Sequence, residues 1–343
     1  MSRVVCLSFP LAARTDVELI TALDPRLEVI VEPYMEDGAR RNARHAMSLE
    51  ELRATAPGLT AEQQQTFSRA EVILALDVPV DLATIAPALR WLHVAGAGVE
   101  HLAGTGVRER GVVVTNSSGI AATSIAEFVM ARLLAVWKRF DEITEQQRAR
   151  QWVPTFGRTF AGSVVGIVGV GAIGSAIARR AKAFGATVLG VRRTAAPVAD
   201  VDEMYSPGML DDMLGRCDAV VVAAPGGDET RRLIDRAALA AMKPDAVFCN
   251  IARGSVVDED ALVDALREGR LRAAILDVFD EEPLPAESPF WSLPNCYVSA
   301  HCSVSIDRYA EDVMELFLEN LGRYLRGEPL LNIVGVRPGS GPR

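Results

Sequence analysis

The sequence predicts an α/β protein of two Rossmann-like or flavodoxin-like domains, each built on a doubly wound parallel sheet. Its 343 residues exceed what one ordinary core of roughly 150 residues holds, so we expect two domains. Short apolar runs recur along the chain in two series, and polar or glycine- and proline-containing stretches separate them. Helical patterns lie between the runs, and such alternation is typical of a parallel sheet covered on both faces.

The apolar runs and the helical segments that follow them indicate where the domains divide. The first series covers residues 4–9, 27–31, 72–76, 91–94 and 112–115, and the second covers 164–168, 187–191, 219–223, 247–251, 273–278 and 297–299. A long helical segment, 124–150, follows the first series, and another, 307–326, follows the second. We interpret both as crossings between domains. The sequence therefore predicts a discontinuous domain of residues 1–118 and 305–343 around a continuous domain of residues 119–304.

Composition and charge argue against several classes of partner. The net charge of −9 leaves no basic face for the phosphates of long nucleic acid or of an anionic membrane. No uninterrupted apolar run approaches the about 20 residues that cross a bilayer. The five cysteines are odd in number and scattered, and no pair has metal-ligand spacing. We therefore expect no metal site and a location in the reducing cytoplasm.

A glycine-rich turn follows the predicted strand 164–168 and opens a helical pattern that Gly185 ends. It reads Gly169-Val170-Gly171-Ala172-Ile173-Gly174. The first glycine permits a tight turn, the second lets the backbone approach a pyrophosphate, and the third lets helix and strand pack closely. The unpaired N–H groups at the helix start bind phosphate. This context predicts a dinucleotide site in the continuous domain, and a purely structural glycine turn is the alternative.

The end of the next predicted strand bears on which dinucleotide is bound. Many NAD sites have an acidic residue there, which accepts the ribose hydroxyls. This chain has Arg192, Arg193 and Thr194 instead. Two guanidinium groups and a hydroxyl would bind a 2′-phosphate through charge-assisted hydrogen bonds. The sequence therefore predicts NADP(H) in preference to NAD(H), and a solvated arginine pair is the alternative.

Polar residues also lie at or just beyond the ends of four other predicted strands of the second series. They are Thr230 in the segment 224–230, Arg253, Asp277 with Glu282 after it, and His301. Ligands of open parallel sheets bind beyond the carboxyl ends of the strands. We therefore expect these residues to line one crevice.

Together with the glycine turn, the order and spacing of Ala252-Arg253-Gly254, Asp277-Val278-Phe279, Glu282-Pro283 and His301 resemble the D-isomer-specific 2-hydroxyacid dehydrogenase family. That family includes glyoxylate/hydroxypyruvate reductases and 3-phosphoglycerate dehydrogenases. The resemblance runs from about residue 94 to residue 332. It implies an NAD(P)-dependent oxidoreductase that passes a hydride between the nicotinamide and a small 2-keto or D-2-hydroxy acid. It also implies an active site in the cleft between the domains, with the discontinuous domain binding substrate, and a homodimer.

The resemblance implies three catalytic residues, and each role makes chemical sense. Arg253 would hold the substrate carboxylate in its planar fork and polarise the neighbouring carbonyl. His301 would be the general acid and base, since an imidazole ordinarily titrates near neutral pH. Glu282 would orient the ring of His301 and favour its imidazolium form.

The resemblance also implies binding residues. The N–H groups of Ala97 and Gly98 would receive the substrate carboxylate, and Asp277 would contact the nicotinamide carboxamide. The full set of implied cofactor contacts is Gly169, Gly171, Ala172, Ile173, Gly174, Arg192, Arg193, Thr194, Ala224, Pro225, Thr230, Ile251, Ala252 and Asp277.

Two departures from the family pattern leave the substrate open. Ala300 and Cys302 flank His301, where the family usually has proline before the histidine and a small apolar residue after it. Without that proline we expect a looser histidine. Gly226-Gly227 replaces a bulkier pair, which predicts more space beside the cofactor.

The remaining histidines and one tryptophan have simpler interpretations. We interpret His93 and His101 as structural and His45 as solvated. Trp152, after the long helical segment, is similar to a residue on the family's dimer arm, and a partly buried loop aromatic is the alternative.

Other functions are compatible with the same fold. Phosphoglycerate, phosphonate and formate dehydrogenases share the scaffold, although Glu282 argues against the formate branch, which lacks the carboxylate partner of the histidine. A dinucleotide-sensing interaction protein of the corepressor type is the alternative from a different class. The sequence does not distinguish which 2-hydroxy acid is used or in which direction.

Overall fold

The computed structural model describes residues 3–9, 14–44 and 47–334. Backbone contacts divide the chain into two compact units: Met1–Ile120 together with Ile306–Arg343, and Ala121–Ser305. Each unit contains a parallel sheet with helices, so the predicted α/β class is confirmed. No helix in these described ranges is both long and apolar enough to span a membrane.

The first unit is built on a five-stranded sheet. Its strands are β1 (Arg3–Leu7), β2 (Leu27–Val31), β3 (Val72–Ala75), β4 (Trp91–Val94) and β5 (Val113–Asn116). Its helices are α1 (Arg14–Leu23), α2 (Gly38–Ala43), α3 (Leu49–Ala54), α4 (Ala61–Arg69), α5 (Leu82–Ile85) and α12 (Tyr309–Arg326). The strand order is β2-β1-β3-β4-β5 with every pair parallel.

The C-terminal helix α12 completes the core of the first unit. Val313, Phe317 and Leu321 recur at intervals of four residues, so they lie on one face of the helix, and all three are fully buried. Phe317 stacks on Trp91 of β4, with ring centroids 5.2 Å apart. The last helix of the chain therefore packs against a strand that lies more than 200 residues earlier.

His93 on β4 is a structural residue, as the sequence indicates. Its ring is fully buried between two hydroxyl groups: Nδ1 lies 2.7 Å from Thr115 Oγ1, and Nε2 lies 3.1 Å from Ser117 Oγ. Ser117 Oγ donates to the carbonyl of Val94, so it accepts from His93 Nε2. Thr115 Oγ1 accepts from Trp91 Nε1, which leaves its hydrogen for His93 Nδ1. These partners match a neutral ring.

We expect His93 to make the protein less stable in acid. Burial lowers the pKa of His93 from 6.5 to about 4. Between these two pH values His93 is therefore protonated in the unfolded chain and neutral in the folded chain. Stability is unaffected above pH 6.5 and falls as the pH drops towards 4. The loss from this residue is about 2 kcal/mol between about pH 7 and pH 5.

Urea denaturation at these two pH values, followed by circular dichroism, measures the effect. His93→Gln removes the titrating ring, so the variant should lose about 2 kcal/mol less than the natural chain on acidification. The contributions of the other titrating groups are the same in the variant and in the natural chain, so they cancel in the difference between the two proteins. The same acid sensitivity in both proteins would contradict the prediction.

The second unit is built on a seven-stranded sheet. Its strands are β6 (Val164–Val168), β7 (Thr187–Val191), β8 (Glu203–Tyr205), β9 (Ala219–Val222), β10 (Ala246–Asn250), β11 (Leu271–Leu276) and β12 (Cys296–Val298). Its helices are α6 (Ala122–Lys138), α7 (Phe140–Arg148), α8 (Ala172–Ala183), α9 (Leu210–Leu214), α10 (Arg236–Ala241) and α11 (Glu259–Arg267). The strand order is β12-β11-β10-β9-β6-β7-β8, again with every pair parallel.

The chain reverses direction across this sheet between β6 and β9. From β6 it steps outward to β7 and β8, then returns to β9 on the other side and continues to β12. Such a reversal leaves a crevice at the carboxyl ends of the two central strands, because the connecting segments diverge there. The topology therefore places a ligand crevice beyond β6 and β9.

Two elements differ from the sequence expectation. The helical segment predicted over 124–150 is two helices, because Arg139 adopts a left-handed conformation with φ of 57° and ends α6 before α7 begins. The short strand β8 was not predicted. It has three residues and lies at the sheet edge, so its burial pattern is too brief to stand out in the sequence.

Candidate active site

The structure places six of the predicted site segments along one edge of the seven-stranded sheet. Because all the strands are parallel, their carboxyl ends meet at the same edge. In spatial order the edge carries Arg192 after β7, Gly169 after β6, Pro225 after β9, Arg253 after β10, Asp277 after β11 and His301 after β12. The arginine pair and the histidine thus lie towards opposite ends of the edge.

The glycine turn after β6 leaves a bare stretch of backbone at the start of α8. Gly169 has φ of +101°, and a Cβ there would lie 2.5 Å from the backbone nitrogen of Ala224 after β9. A Cβ on Gly174 would lie 2.3 Å from the carbonyl oxygen of Gly169, so this glycine lets helix and strand pack. Gly171 is different, because a Cβ there would meet nothing within 4 Å. The open side at Gly171 and the helix N-terminus fit the pyrophosphate of a dinucleotide.

The loop after β9 is a closed turn. Thr230 Oγ1 donates to the carbonyl oxygens of Pro225 and Gly227, at 2.7 and 3.2 Å. The predicted cofactor contacts Ala224, Ile251 and Ala252 are buried. We therefore expect contacts with a dinucleotide at these three positions to come from backbone atoms.

The arginine pair after β7 is partly engaged with its own loop. Arg192 Nε donates to the carbonyl of Thr194 at 2.8 Å. Arg193 Nη1 lies 3.5 Å from a carboxylate oxygen of Glu229, and both side chains are about three-quarters exposed. An ion pair so exposed contributes little, so Arg193 is available to a stronger anion.

Arg253 stands on a rigid piece of backbone. Its carbonyl accepts from Asn250 Nδ2 at 3.0 Å and from the N–H of Val256 at 3.3 Å. The next residue, Gly254, packs so closely that a Cβ there would lie 1.9 Å from the carbonyl carbon of Phe279. The side chain is half-buried, and its Nη1 donates to the carbonyl of Ala252 at 2.6 Å.

Asp277 holds the loop that carries the histidine. Its carboxylate is fully buried and accepts from the N–H of Cys302 and the N–H of Ser303, both at 3.0 Å, and from Ser299 Oγ at 2.6 Å. The carbonyl of Asp277 also accepts from the N–H of His301 at 2.8 Å. The resemblance places Asp277 against the nicotinamide carboxamide, but the bonds of its carboxylate to the loop are not visible in the sequence, since they depend on β11 lying next to β12.

His301 and Glu282 form a close pair at the end of the edge. His301 Nδ1 lies 2.8 Å from Glu282 Oε2, and the histidine backbone is left-handed, with φ of 50°. The other carboxylate oxygen of Glu282 accepts from the N–H of Phe279 at 3.0 Å, which orients the carboxylate. Nε2 of His301 makes no hydrogen bond to any residue that the structure describes. The side chain of His301 is 47 % exposed.

The electrostatics of this pair favour a charged carboxylate. Burial acts to raise the pKa of the Glu282 carboxyl, but the hydrogen bond and the charge of His301 outweigh it. The N–H of Phe279 and the charge of Arg253 act in the same direction, so the pKa of Glu282 lies below its ordinary value. Glu282 therefore stays ionised and accepts the hydrogen bond of His301 Nδ1.

The predicted carboxylate-binding loop lies in the first unit, after β4. The carbonyl of Ala97 accepts from Asn116 Nδ2 at 2.5 Å, and the carbonyl of Gly96 accepts from the N–H of Ser117 at 3.1 Å. Among the described residues, the N–H groups of Ala97 and Gly98 donate to no acceptor. Two neighbouring N–H groups without an acceptor among the described residues are suited to binding an anion.

The sequence also singles out His101, His45 and Trp152. His101 is buried in the first unit, as expected of a structural residue, and His45 lies outside the described residues. Trp152 is 98 % exposed, so the interpretation of a partly buried loop aromatic is wrong for the single chain. Across the described ranges, no group of three or more His, Cys, Asp or Glu side chains is placed to hold a metal ion.

Comparisons with known proteins identify the family to which the chain belongs. The family model for the D-isomer specific 2-hydroxyacid dehydrogenase NAD binding domain matches residues 130–303. Glyoxylate/hydroxypyruvate reductase B of Klebsiella pneumoniae subsp. pneumoniae is 31% identical over 314 residues, which cover 89% of this chain and 97% of that protein. D-3-phosphoglycerate dehydrogenase of Methanocaldococcus jannaschii is 31% identical over 295 residues, which cover 82% of this chain but only 55% of that longer protein.

A solved structure is similar over nearly the whole chain. It is the NADPH-dependent glyoxylate/hydroxypyruvate reductase of Sinorhizobium meliloti in complex with NADP and sulfate, with a TM-score of 0.75 and 28% identity, covering 98% of each chain. The family that the sequence resembles is thereby confirmed. The chain belongs to the D-isomer specific 2-hydroxyacid dehydrogenase family, whose members are oxidoreductases that act on the CH–OH group with a nicotinamide cofactor.

Proposed function

We propose that this protein reduces a small 2-keto acid of the glyoxylate or hydroxypyruvate type to the D-2-hydroxy acid, with NADPH preferred over NADH. The observation that carries the proposal is the pair of His301 and Glu282 at the end of β12, on the same sheet edge as Arg253 and the glycine turn. A proton donor, a carboxylate-binding guanidinium and a pyrophosphate cradle on one edge are the groups that such a reduction needs.

Each residue has a definite task in this reduction. The bound dinucleotide supplies the hydride to the carbonyl carbon. His301 donates a proton from Nε2 to the carbonyl oxygen, and Glu282 keeps the imidazole charged and oriented until it does. Asp277 keeps His301 in place through the loop 299–303, a task we add to its predicted contact with the carboxamide.

The substrate is held by its carboxylate. The guanidinium of Arg253 binds it through parallel N–H groups, which also draw electron density from the adjacent carbonyl. In the first unit, the N–H groups of Ala97 and Gly98 remain predicted carboxylate-binding groups. Small 2-keto acids share this carboxylate, so the side group beyond the carbonyl sets the preference among them.

A survey of substrates tests the reaction. Purified protein is mixed with NADPH or NADH and with glyoxylate, hydroxypyruvate, pyruvate or a bulkier 2-keto acid, and the loss of reduced-nicotinamide absorbance is followed. Turnover with NADPH ahead supports the proposal. Tight dinucleotide binding with no turnover of any acid would overturn it and favour a dinucleotide-sensing interaction protein.

The cofactor preference rests on the loop after β7. Arg192, Arg193 and Thr194 stand where an acidic residue would repel a 2′-phosphate. The similar Sinorhizobium meliloti reductase is described as NADPH-dependent and was solved with NADP. The exposed contact of Arg193 with Glu229 is weak enough for a phosphate to displace it.

Arg192→Asp should reverse the preference for NADPH. The change removes a charge-assisted hydrogen bond and adds a repelling carboxylate, so the ratio of kcat/KM for NADPH to that for NADH should fall by about tenfold or more. Steady-state kinetics with both cofactors measure it. Arg236→Asp makes the same charge change on an exposed arginine of α10 and should leave the ratio unchanged. An unchanged ratio in Arg192→Asp would show that the arginine pair is only solvated.

The assembly and the compartment are parts of the same proposal. Five large apolar side chains on α7 and the segment after it are exposed in the single chain: Phe140, Ile143, Trp152, Val153 and Phe156. So many exposed apolar groups in one segment indicate a covered surface, and we propose a homodimer. Sedimentation at twice the chain mass supports it, and a monomer mass contradicts it. The five free cysteines fit a reducing cytoplasm.

A further inference from the structure

We propose that Gly226 is a positioning residue for Arg253, because the absence of a side chain at position 226 is what gives the arginine its place. The inference rests on the proposed role of Arg253 in binding the substrate carboxylate. It assigns a function to a glycine that stands where the family has a bulkier residue.

The contact between the two residues is close and continuous. A Cβ on Gly226 would lie 2.9 Å from Cγ of Arg253, 3.4 Å from its Cβ and 3.9 Å from its Cδ. These three atoms are the consecutive carbons of the arginine stem. The stem therefore lies directly over the α-carbon of Gly226, and the shortest of these distances is one that real Cβ atoms do not adopt.

The backbone conformation does not itself call for glycine at this position. Gly227, the next residue, has φ of +154°, whereas Gly226 is not among the glycines with positive φ. An alanine at position 226 is therefore compatible with the backbone. That alanine would, however, clash with the Arg253 stem in its present position.

Neither backbone is free to move away from such a side chain. The loop around Gly226 is closed by Thr230, whose hydroxyl and N–H both bond to the carbonyl of Gly227. The backbone of Arg253 is fixed by the next residue, Gly254, which packs against the backbone of Phe279 without room for a methyl group. The side chain of Arg253 is thus the part that must move.

A movement of the stem is carried to the guanidinium, since the two are joined by a short run of single bonds. A shift of about 1 Å at a substrate-binding group costs far more in affinity than in folding. The size of the residue at position 226 therefore determines the position of the Arg253 guanidinium, and with it the position of the bound carboxylate. In this chain the residue is glycine.

Gly226→Ala tests the inference in the full chain. The KM for the preferred 2-keto acid should rise by about tenfold or more, with a smaller change in kcat and a dinucleotide Kd within about twofold of the natural value. Gly208→Ala is the matched control, because its Cβ would meet nothing within 4 Å and its φ is not in the positive range. It should leave the KM, the kcat and the dinucleotide Kd unchanged.

A double-mutant cycle shows whether Gly226 acts through the arginine. In an Arg253→Ala background only the Cβ of the stem remains, so Gly226→Ala should change kcat/KM by less than about twofold. Additive losses would overturn the inference, as would a normal KM in Gly226→Ala. The double variant should also bind the dinucleotide as Arg253→Ala does, and its failure to do so would show that Gly226 serves the loop instead.

The inference and the proposed function fail in different ways. If the natural protein turns over no 2-keto acid, the proposed function is wrong. If the natural protein reduces such an acid and Gly226→Ala does so with the same KM, only the inference is wrong.

Discussion

His301→Ala is expected to lower kcat for keto-acid reduction by about 10²-fold to 10⁴-fold, the range that a positioned general acid contributes. The imidazole is held 2.8 Å from Glu282, and its Nε2 bonds to no described residue, so this nitrogen is free to give a proton. The dinucleotide Kd should stay within about twofold, because the glycine turn lies four strands away along the edge. Steady-state kinetics and a fluorescence titration measure the two quantities.

Two further variants make this test specific. Cys302→Ala changes the exposed neighbour of the histidine but keeps the N–H that bonds to Asp277, and it should retain the natural kcat within about twofold. Glu282→Gln keeps the shape of the carboxylate but loses the charge that favours the imidazolium. The kcat for reduction should then fall by about tenfold, because a neutral amide replaces the charged partner of the imidazole. A natural kcat in His301→Ala would remove the histidine from the mechanism.

Arg253→Ala is expected to lower kcat/KM for the keto acid by about 10²-fold to 10³-fold, mainly through a higher KM. The change removes a charged, two-pronged partner of the substrate carboxylate in a half-buried position. Arg253→Lys keeps the charge but loses the planar fork, so it should fall between the alanine variant and the natural protein.

The comparison of these variants separates binding from chemistry. The dinucleotide Kd should be unchanged in both, and Arg236→Ala, an exposed arginine of α10, should match the natural protein throughout. A drop in kcat with an unaltered KM would show that Arg253 acts in the chemical step and does not hold the substrate.

The strands could be predicted because their signal is local. Runs such as 164–168 and 219–222 are rich in valine and bounded by glycine or charged residues, and a strand buried on both faces needs little else. The break at Arg139 could not be predicted, since one residue in a left-handed conformation leaves no pattern in a helical stretch. A three-residue edge strand such as β8 is likewise too short to leave a recognisable sequence pattern.

The site could be predicted as a set of strand ends, but not as a spatial order. The sequence indicates that Arg253, Asp277 and His301 each follow a strand, and parallel pairing brings such positions to one edge. The adjacency of β11 and β12, which lets Asp277 bond to the loop of the histidine, appears only in the folded sheet. The contact of Gly226 with the arginine stem is likewise a matter of three-dimensional packing.

The return of α12 to the first sheet has a consequence for how the chain is made. A ribosome releases residues 121–305 as one uninterrupted piece, whereas the stack of Phe317 on Trp91 must wait for the last helix to emerge. Closing so long a loop is entropically costly and slow. Until α12 has emerged, the first sheet therefore lacks the helix that buries Trp91, and its apolar surface is exposed to chaperones and to aggregation. A frameshift or early stop that removes only α12 would leave that surface open for good.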